Sequence, residues 1–355
     1  MPGEIADDGI EALNSMVQGA EKLSLLLKLI ERATSIAVVR NFLKARNLPH
    51  SAGSWDDLRT KRILPAIDDG QLTLAALYAL LRSTEGFGRQ HIFLFRCPPE
   101  RAAAMITEQR VRNLLLEKGI GETEDDPLLV DLPAEPTFVD VRFGKAGGVV
   151  KSLTLKEIEK RTSKKLASEA TDDEAMTYTR VYKFEHQRAI NTARLWDDGL
   201  LEVRIASRDN ATRYRDDLAH FFNRLKPIIA RNEFAEVSLR QLKKNLWDNR
   251  AELQHLVKFS TYTLQDDEGM SLRANAVLST DDLAGSERVA KSLAEFNAET
   301  VRCSDSNIYF KIVENGETAK EIHVLLNGED NEFAVTAAIT EEEYEYVLRQ
   351  VLQHN

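Results

Sequence analysis

Apolar residues recur every three or four positions through the first third of the chain and every second position through much of the rest. Leu13, Met16, Ala20, Leu23, Leu27 and Ile30 keep helical spacing, which predicts an amphipathic helix over 11–32. A second helix is expected over 35–46, with Val38, Val39, Phe42 and Leu43 facing inward, until Pro49, Ser51 and Gly53 interrupt it. Ser54 then reads as an N-cap, with Asp56 and Asp57 in the first turn, where carboxylates complement the helix dipole. That helix carries Leu58, Ile63 and Leu64. Thr73 caps another bearing Leu74, Leu77, Leu80 and Leu81. The run HIFLF at 91–95 reads as a buried strand. Pro98 and Pro99 open a further helix that Gly119 stops.

The period changes after the acidic, proline-punctuated stretch 121–136. Strands at 137–143 and 149–155 flank GKAGG, a hairpin signal. The polar segment 166–175 reads as a loop, and 176–187 alternates strongly. Strands on either side of WDDG suit a tight Asp-Gly turn. Helices over about 210–229 and 238–257 come next, then a strand at 271–279 and a helix near 281–296. Strands near 307–313, 320–326 and 332–338 precede a closing helix over 340–353, opened by a Thr340/Glu343 capping box. Strand runs separated by helices, with hairpin signals, predict an α+β protein rather than a doubly wound parallel sheet. The expected organisation is a mainly helical N-terminal domain over 1–120, an acidic linker over 121–136, and a larger domain of antiparallel hairpins and helices over 137–355. A sub-boundary is expected near 230–270.

Charge changes this picture locally. The 355-residue chain carries a formal net charge of −10, yet between Arg32 and Arg62 seven basic residues meet only two acidic ones. An acidic chain with one basic patch can still meet a polyanion there, because screening confines electrostatic influence to about 8 Å at physiological salt. Cys97 and Cys303 are far apart and lack a CxxC partner, so free thiols are expected rather than a disulfide framework or zinc site. No apolar run is long enough to span a bilayer, and the expectation is a cytoplasmic protein that makes no membrane contact.

The patch itself carries a family resemblance. The stretch VVRNFLKARNLPHSAGSWDDLRTKRIL contains Val39, the triplet Phe42-Leu43-Lys44, Leu48, the turn from Ser51 to Gly53, Leu58 and Arg62. Over residues 35–67 this resembles the SAP motif, a small helix–extended–helix DNA-binding module. It departs from the family pattern at Trp55, where a lysine is usual, and in a slightly longer link. The resemblance implies phosphate contacts from Arg40, Lys44, Arg46, Arg59, Lys61 and Arg62. Physical reasoning agrees: helix N–H groups near several cations suit phosphate, giving affinity without sequence reading. The alternative is a three-helix packing unit whose basic face is merely solvated.

A second surface follows from strand periodicity. If 176–188 is extended, Tyr178, Arg180, Tyr182, Phe184, His186 and Arg188 share one face. Interleaved rings and cations are what a single-stranded nucleic-acid platform uses. The simpler expectation is that a sheet buries such a face under its helices, leaving Arg180 and Arg188 at the rim. The histidines form no HxH or HExxH pattern, and the chain has no P-loop, dinucleotide fingerprint or nucleophile elbow, so no metal or cofactor is expected. Asp198, Glu202 and Arg204 resemble a nuclease hairpin only superficially, because arginine stands where that chemistry needs lysine. His220 and His255 are expected as structural histidines on apolar helix faces.

The leading expectation is a non-enzymatic nucleic-acid-binding adaptor for DNA or RNA that also docks a protein partner. A protein-interaction subunit of a bacterial assembly, for example in antiviral defence, is the first alternative. A cryptic nuclease is the second. Residues 11–32 offer a seam for a second copy of the chain.

Overall fold

The structure, a computed structural model, describes residues 8–117, 131–172, 175–208, 213–278, 280–296, 301–314, 317–326 and 330–355. It contains both helices and an antiparallel sheet, so the protein is α+β. The chain divides into two compact units. One runs to Phe87 and includes Asp131; the other takes the remainder from Gly88.

The first unit is helical: α1 (Asp8–Ala33), α2 (Ile36–Lys44), α3 (Trp55–Leu58), a π-helical turn (Arg59–Ile63), α4 (Leu64–Asp68) and α5 (Leu74–Thr84). Its core gathers Leu26, Leu27, Leu29 and Ile30 of α1 with Val39, Leu43, Leu48, Leu58, Ile63, Leu77 and Leu81. The second half of α1 therefore packs its apolar stripe into the core of its own unit. The side chains of α1 before Gly19 lie outside the described residues. The chain leaves α2 by a Schellman-type turn. Leu48 N–H donates to the Leu43 carbonyl at 3.0 Å and Asn47 N–H to that of Lys44 at 2.9 Å. Asn47 takes the left-handed conformation at φ 57, which its short polar side chain tolerates.

Ser54 caps α3 by accepting from Asp57 N–H at 3.1 Å, as its sequence position predicts. The π-turn has a local cause. Pro65 has no N–H for the carbonyl of Lys61 four residues earlier, and its ring pushes that carbonyl away. Arg62 Nη1 donates to this carbonyl instead, at 3.1 Å.

The second unit is built on one large antiparallel sheet. In chain order its elements are β1 (Gly88–Arg96), α6 (Pro99–Met105), α7 (Glu108–Glu117), β2 (Thr137–Ala146), β3 (Val149–Asp172), β4 (Thr177–Trp196), β5 (Leu200–Ala206), α8 (Arg215–Leu225) and β6 (Ala235–Glu236). Then come α9 (Arg240–Asp248), β7 (Val257–Gln265), β8 (Ser271–Asn275), α10 (Glu287–Phe296), β9 (Arg302–Glu314), β10 (Glu317–Leu326), β11 (Glu332–Ala338) and α11 (Glu341–His354). The strand order is β2-β3-β4-β5-β1-β11-β10-β9-β7-β8, with the short β6 pairing beside β1.

β1 lies mid-sheet with both faces covered, and Ile92, Phe93, Leu94 and Phe95 are fully buried. On one face Phe93 and Phe95 pack with Ile106, Val111 and Leu115 and with Phe221, Phe222 and Leu225 of α8. On the other face Tyr344 of α11 reaches Glu202 of β5. Because β1, α6 and α7 join this core, residues 88–117 belong with the sheet and not with the N-terminal helices. The helical part therefore ends at Phe87, earlier than residue 120. Most of the expected linker at 121–136 lies outside the described residues.

Other sequence expectations shift in ways that packing explains. The helix expected over 238–257 ends at Asp248, and Val257–Gln265 is a strand. There Phe259 and Tyr262 pack on Trp247, with ring centroids 5.2 and 4.4 Å away. The loop expected at 166–175 is strand as far as Asp172, paired with β4 on both sides of an irregularity at Ala167. The Thr340/Glu343 capping box forms as expected. Gly199 closes the WDDG hairpin at φ 95, where an added Cβ would lie 2.0 Å from the Cys97 carbonyl oxygen. Among the described residues, no helix is long and apolar enough to cross a membrane.

Candidate nucleic-acid interface

β3 and β4 outrun the rest of the sheet. Leu153, Leu155 and Ile158 are buried, but from Lys160 outward the two strands form an exposed two-stranded arm, at about 3.3 Å per residue roughly 40 Å long. The expectation that this strand buries one face does not hold. Residues 177–184 are exposed without alternation, and among the described residues no helix covers either side of them.

Register assigns its faces, since residues directly opposite in an antiparallel pair share a side. Lys160 faces Arg188, Thr162 faces His186, Lys164 faces Phe184 and Leu166 faces Tyr182. The face read from β4 alone therefore gains Lys160 and Lys164. From Lys160/Arg188 to Leu166/Tyr182 it carries no carboxylate. Phe184 is 64% exposed and Tyr182 36%. Lys164 Nζ sits 3.6 Å from the Tyr182 ring centroid, a cation–π contact across the two strands. Thr162 Oγ1 and His186 Nδ1 lie 2.9 Å apart.

Past an irregularity between Leu166 and Ser168 the chemistry changes. Arg180 pairs with Glu169 at 3.0 Å, donates to the Tyr178 hydroxyl at 2.9 Å and lies 4.9 Å from the Tyr178 ring. The sequence continues into the acidic Asp172-Asp173-Glu174. Positive charge is thus concentrated in the half nearer the sheet. The opposite face of that half carries Arg161, Lys165 and Lys183. Lys165 pairs with Glu185 at 2.7 Å, and its hydrogen bond holds that carboxyl below its ordinary value.

The root of the arm is fixed by charge. Glu157 is fully buried and accepts from Arg224 of α8 at 2.7 Å, and burial pushes its carboxyl above the ordinary value. Arg161 bonds to Glu159 and to the carbonyl of Ala206. Gln90 Nε2 donates to the Ile190 carbonyl at 3.1 Å. These bonds tie both strands to β1, β5 and α8 where they leave the sheet.

In the helical unit the predicted cations are largely committed. Arg59 pairs with Glu31 at 2.7 Å and Lys61 with Asp57 at 2.6 Å, and the Lys61 hydrogen bond lowers the Asp57 pKa. Arg62 Nε donates to the Ser51 carbonyl at 2.8 Å, joining the helix to the extended link. Arg46 lies over the Phe42 ring at 3.8 Å. Arg40 and Lys44 of α2 are exposed and make no ion pair among the described residues. The structure therefore keeps Tyr178, Arg180, Tyr182 and Arg188 on one arm and divides the SAP-like set between structural and solvent-facing roles.

The nuclease-like set is separated. Asp198 is exposed in the turn, where it accepts from Leu200 N–H at 3.0 Å. Glu202 is fully buried, accepting from Arg194 at 3.0 and 3.1 Å and from Trp196 and Tyr344 at 2.6 Å. Arg204 is buried 4.8 Å from the Tyr344 ring. A carboxylate saturated in this way has no lone pair to offer a metal. His220 and His255 are exposed rather than set in apolar faces. Cys97 and Cys303 are free thiols. Among the described residues, no group of three or more His, Cys, Asp or Glu side chains is placed to hold a metal ion.

The basic aromatic arm is only half visible in sequence. Alternation reveals the β4 face, but its cations on β3 need the pairing register. Comparison with protein-family models and with curated proteins found no match for the chain.

Proposed function

We propose that the protein is a non-enzymatic nucleic-acid-binding adaptor whose principal contact is the β3–β4 arm. The observation that carries this reading is the carboxylate-free face on which Lys164 lies opposite Phe184 and against the Tyr182 ring, with Lys160 and Arg188 further along toward the sheet. Cations on an exposed ribbon bind phosphates without reading sequence, and exposed rings supply surface for bases. The helix–extended–helix course of residues 36–68 supports the SAP-like reading of the N-terminal unit as a secondary contact through Arg40 and Lys44.

A protein partner is the second reading. Beside the edge strand β8, Met270, Val277 and Leu278 are exposed apolar residues of the kind that partners cover.

The test is fluorescence anisotropy with labelled oligonucleotides across a salt series, using the full chain and a Lys160→Glu/Lys164→Glu variant. Affinity is expected to fall steeply with salt. The variant should weaken binding to all sequences alike and reduce the log–log slope by about 0.7–0.9 for each phosphate it no longer neutralises. Binding indifferent to both salt and the variant would remove the reading.

A further inference from the structure

We infer that the arm selects single-stranded nucleic acid, with a base stacked against Phe184 and Tyr182 and the sugar–phosphate chain on Lys160, Lys164 and Arg188. This rests on the nucleic-acid reading above and names its substrate class. Phe184 projects into solvent with most of its ring uncovered and offers no polar atom to a phosphate. A duplex keeps the faces of its bases inside the stack and would leave that ring wet. An unpaired base presents the π-face that covers it.

Spacing agrees. Tyr182 and Phe184 lie two residues apart on one strand, about 6.8 Å along the backbone, so both rings stand on the same face. Lys164 already lies over the Tyr182 ring, so a cation stands beside the stacking position, where a phosphate would pass. The reverse face of the same half presents Val181, Lys183, Glu185 and Gln187, without a ring and with its carboxylate tied to Lys165. Stacking and charge coincide on one side only.

The experiment titrates full-length protein into a labelled oligothymidylate of about 20 nucleotides and into a duplex of equal length. The single strand should bind more tightly. Phe184→Leu should weaken single-strand binding roughly 5- to 100-fold while leaving duplex binding and the melting temperature unchanged. Phe184→Trp should restore binding and show indole fluorescence quenched by the oligothymidylate. Duplex binding as tight as single-strand binding, with Phe184→Leu silent, would overturn the inference and leave the nucleic-acid reading intact. A dimer that Phe184→Leu dissolves would overturn it as well, assigning the ring to a second copy. Absence of binding to either probe at low salt would remove both.

Discussion

Arg224 of α8 closes on Glu157 of β3 with two hydrogen bonds, Nε to Oε2 and Nη2 to Oε1, the latter at 2.7 Å. Glu157 is fully buried at the point where the arm leaves the sheet, and Arg224 is its cationic partner there. Burial raises the Glu157 pKa in the folded protein despite that partner. A carboxyl whose folded pKa lies above its ordinary value contributes most to stability while protonated, and the contribution is lost as pH rises through the folded pKa. Arg224→Ala should therefore cost about 3 kcal/mol at neutral pH, because a buried carboxylate loses its partner. The cost should shrink below the ordinary carboxylate range. Urea unfolding at the two pH values checks this; an equal loss at both would contradict it.

Glu202 behaves in the opposite sense. Burial alone would raise its pKa, but Arg194 and Arg204 outweigh burial and hold it below the ordinary value. Its stabilisation is present above that ordinary value and is lost as pH falls through the folded one. Glu202→Gln should cost about 3 kcal/mol at neutral pH, since a buried anion beside Arg194 and Arg204 is lost and Arg194 keeps the partly exposed Glu345. The variant should also show a flatter acid limb in a plot of unfolding free energy against pH. A variant as acid-sensitive as the parent would mean that other groups govern the acid transition.

The two arginines at the π-turn should separate. Arg62 donates to the carbonyls of Ser51 and Lys61, so Arg62→Ala should destabilise the helical unit by about 1 kcal/mol. Arg59 makes a half-exposed ion pair with Glu31, so Arg59→Ala should change stability by less than about 1 kcal/mol. Calorimetry on the full chain distinguishes them, and equal effects would argue against a structural role for Arg62.

Much of the fold is legible because it rests on local signals. Ser54, Thr73 and Thr340 cap helices as their positions predict, and the turns at Gly147-Gly148 and Gly199 close hairpins. What local pattern does not convey is partnership at long range. Lys164 gives no sign in sequence that it faces Phe184, and nothing around residue 91 announces that β1 pairs with both β5 and β11. The exposure of the arm is hidden for the same reason. Alternation shows which residues share a face, but only the tertiary structure decides whether anything covers it. The basic patch at 32–62 is legible as charge, but Glu31, Asp57 and two backbone carbonyls occupy much of it.

The central place of β1 sets the order in which this molecule can be completed. Among the described strands it comes earliest in the chain, yet one of its neighbours is β11, which comes latest, with Phe93 opposite Glu332. During synthesis β1 can zip to β5 and, at Phe95 and Arg96, to β6, while the stretch from Gly88 to Phe93 on its other edge waits through more than a hundred residues after β5 for β11. Such an edge invites pairing with other chains until its true neighbour emerges. A ribosome-bound chain lacking β11 should be the species most dependent on chaperones. Truncation from the C-terminus should then fail as aggregation rather than as the loss of one peripheral helix.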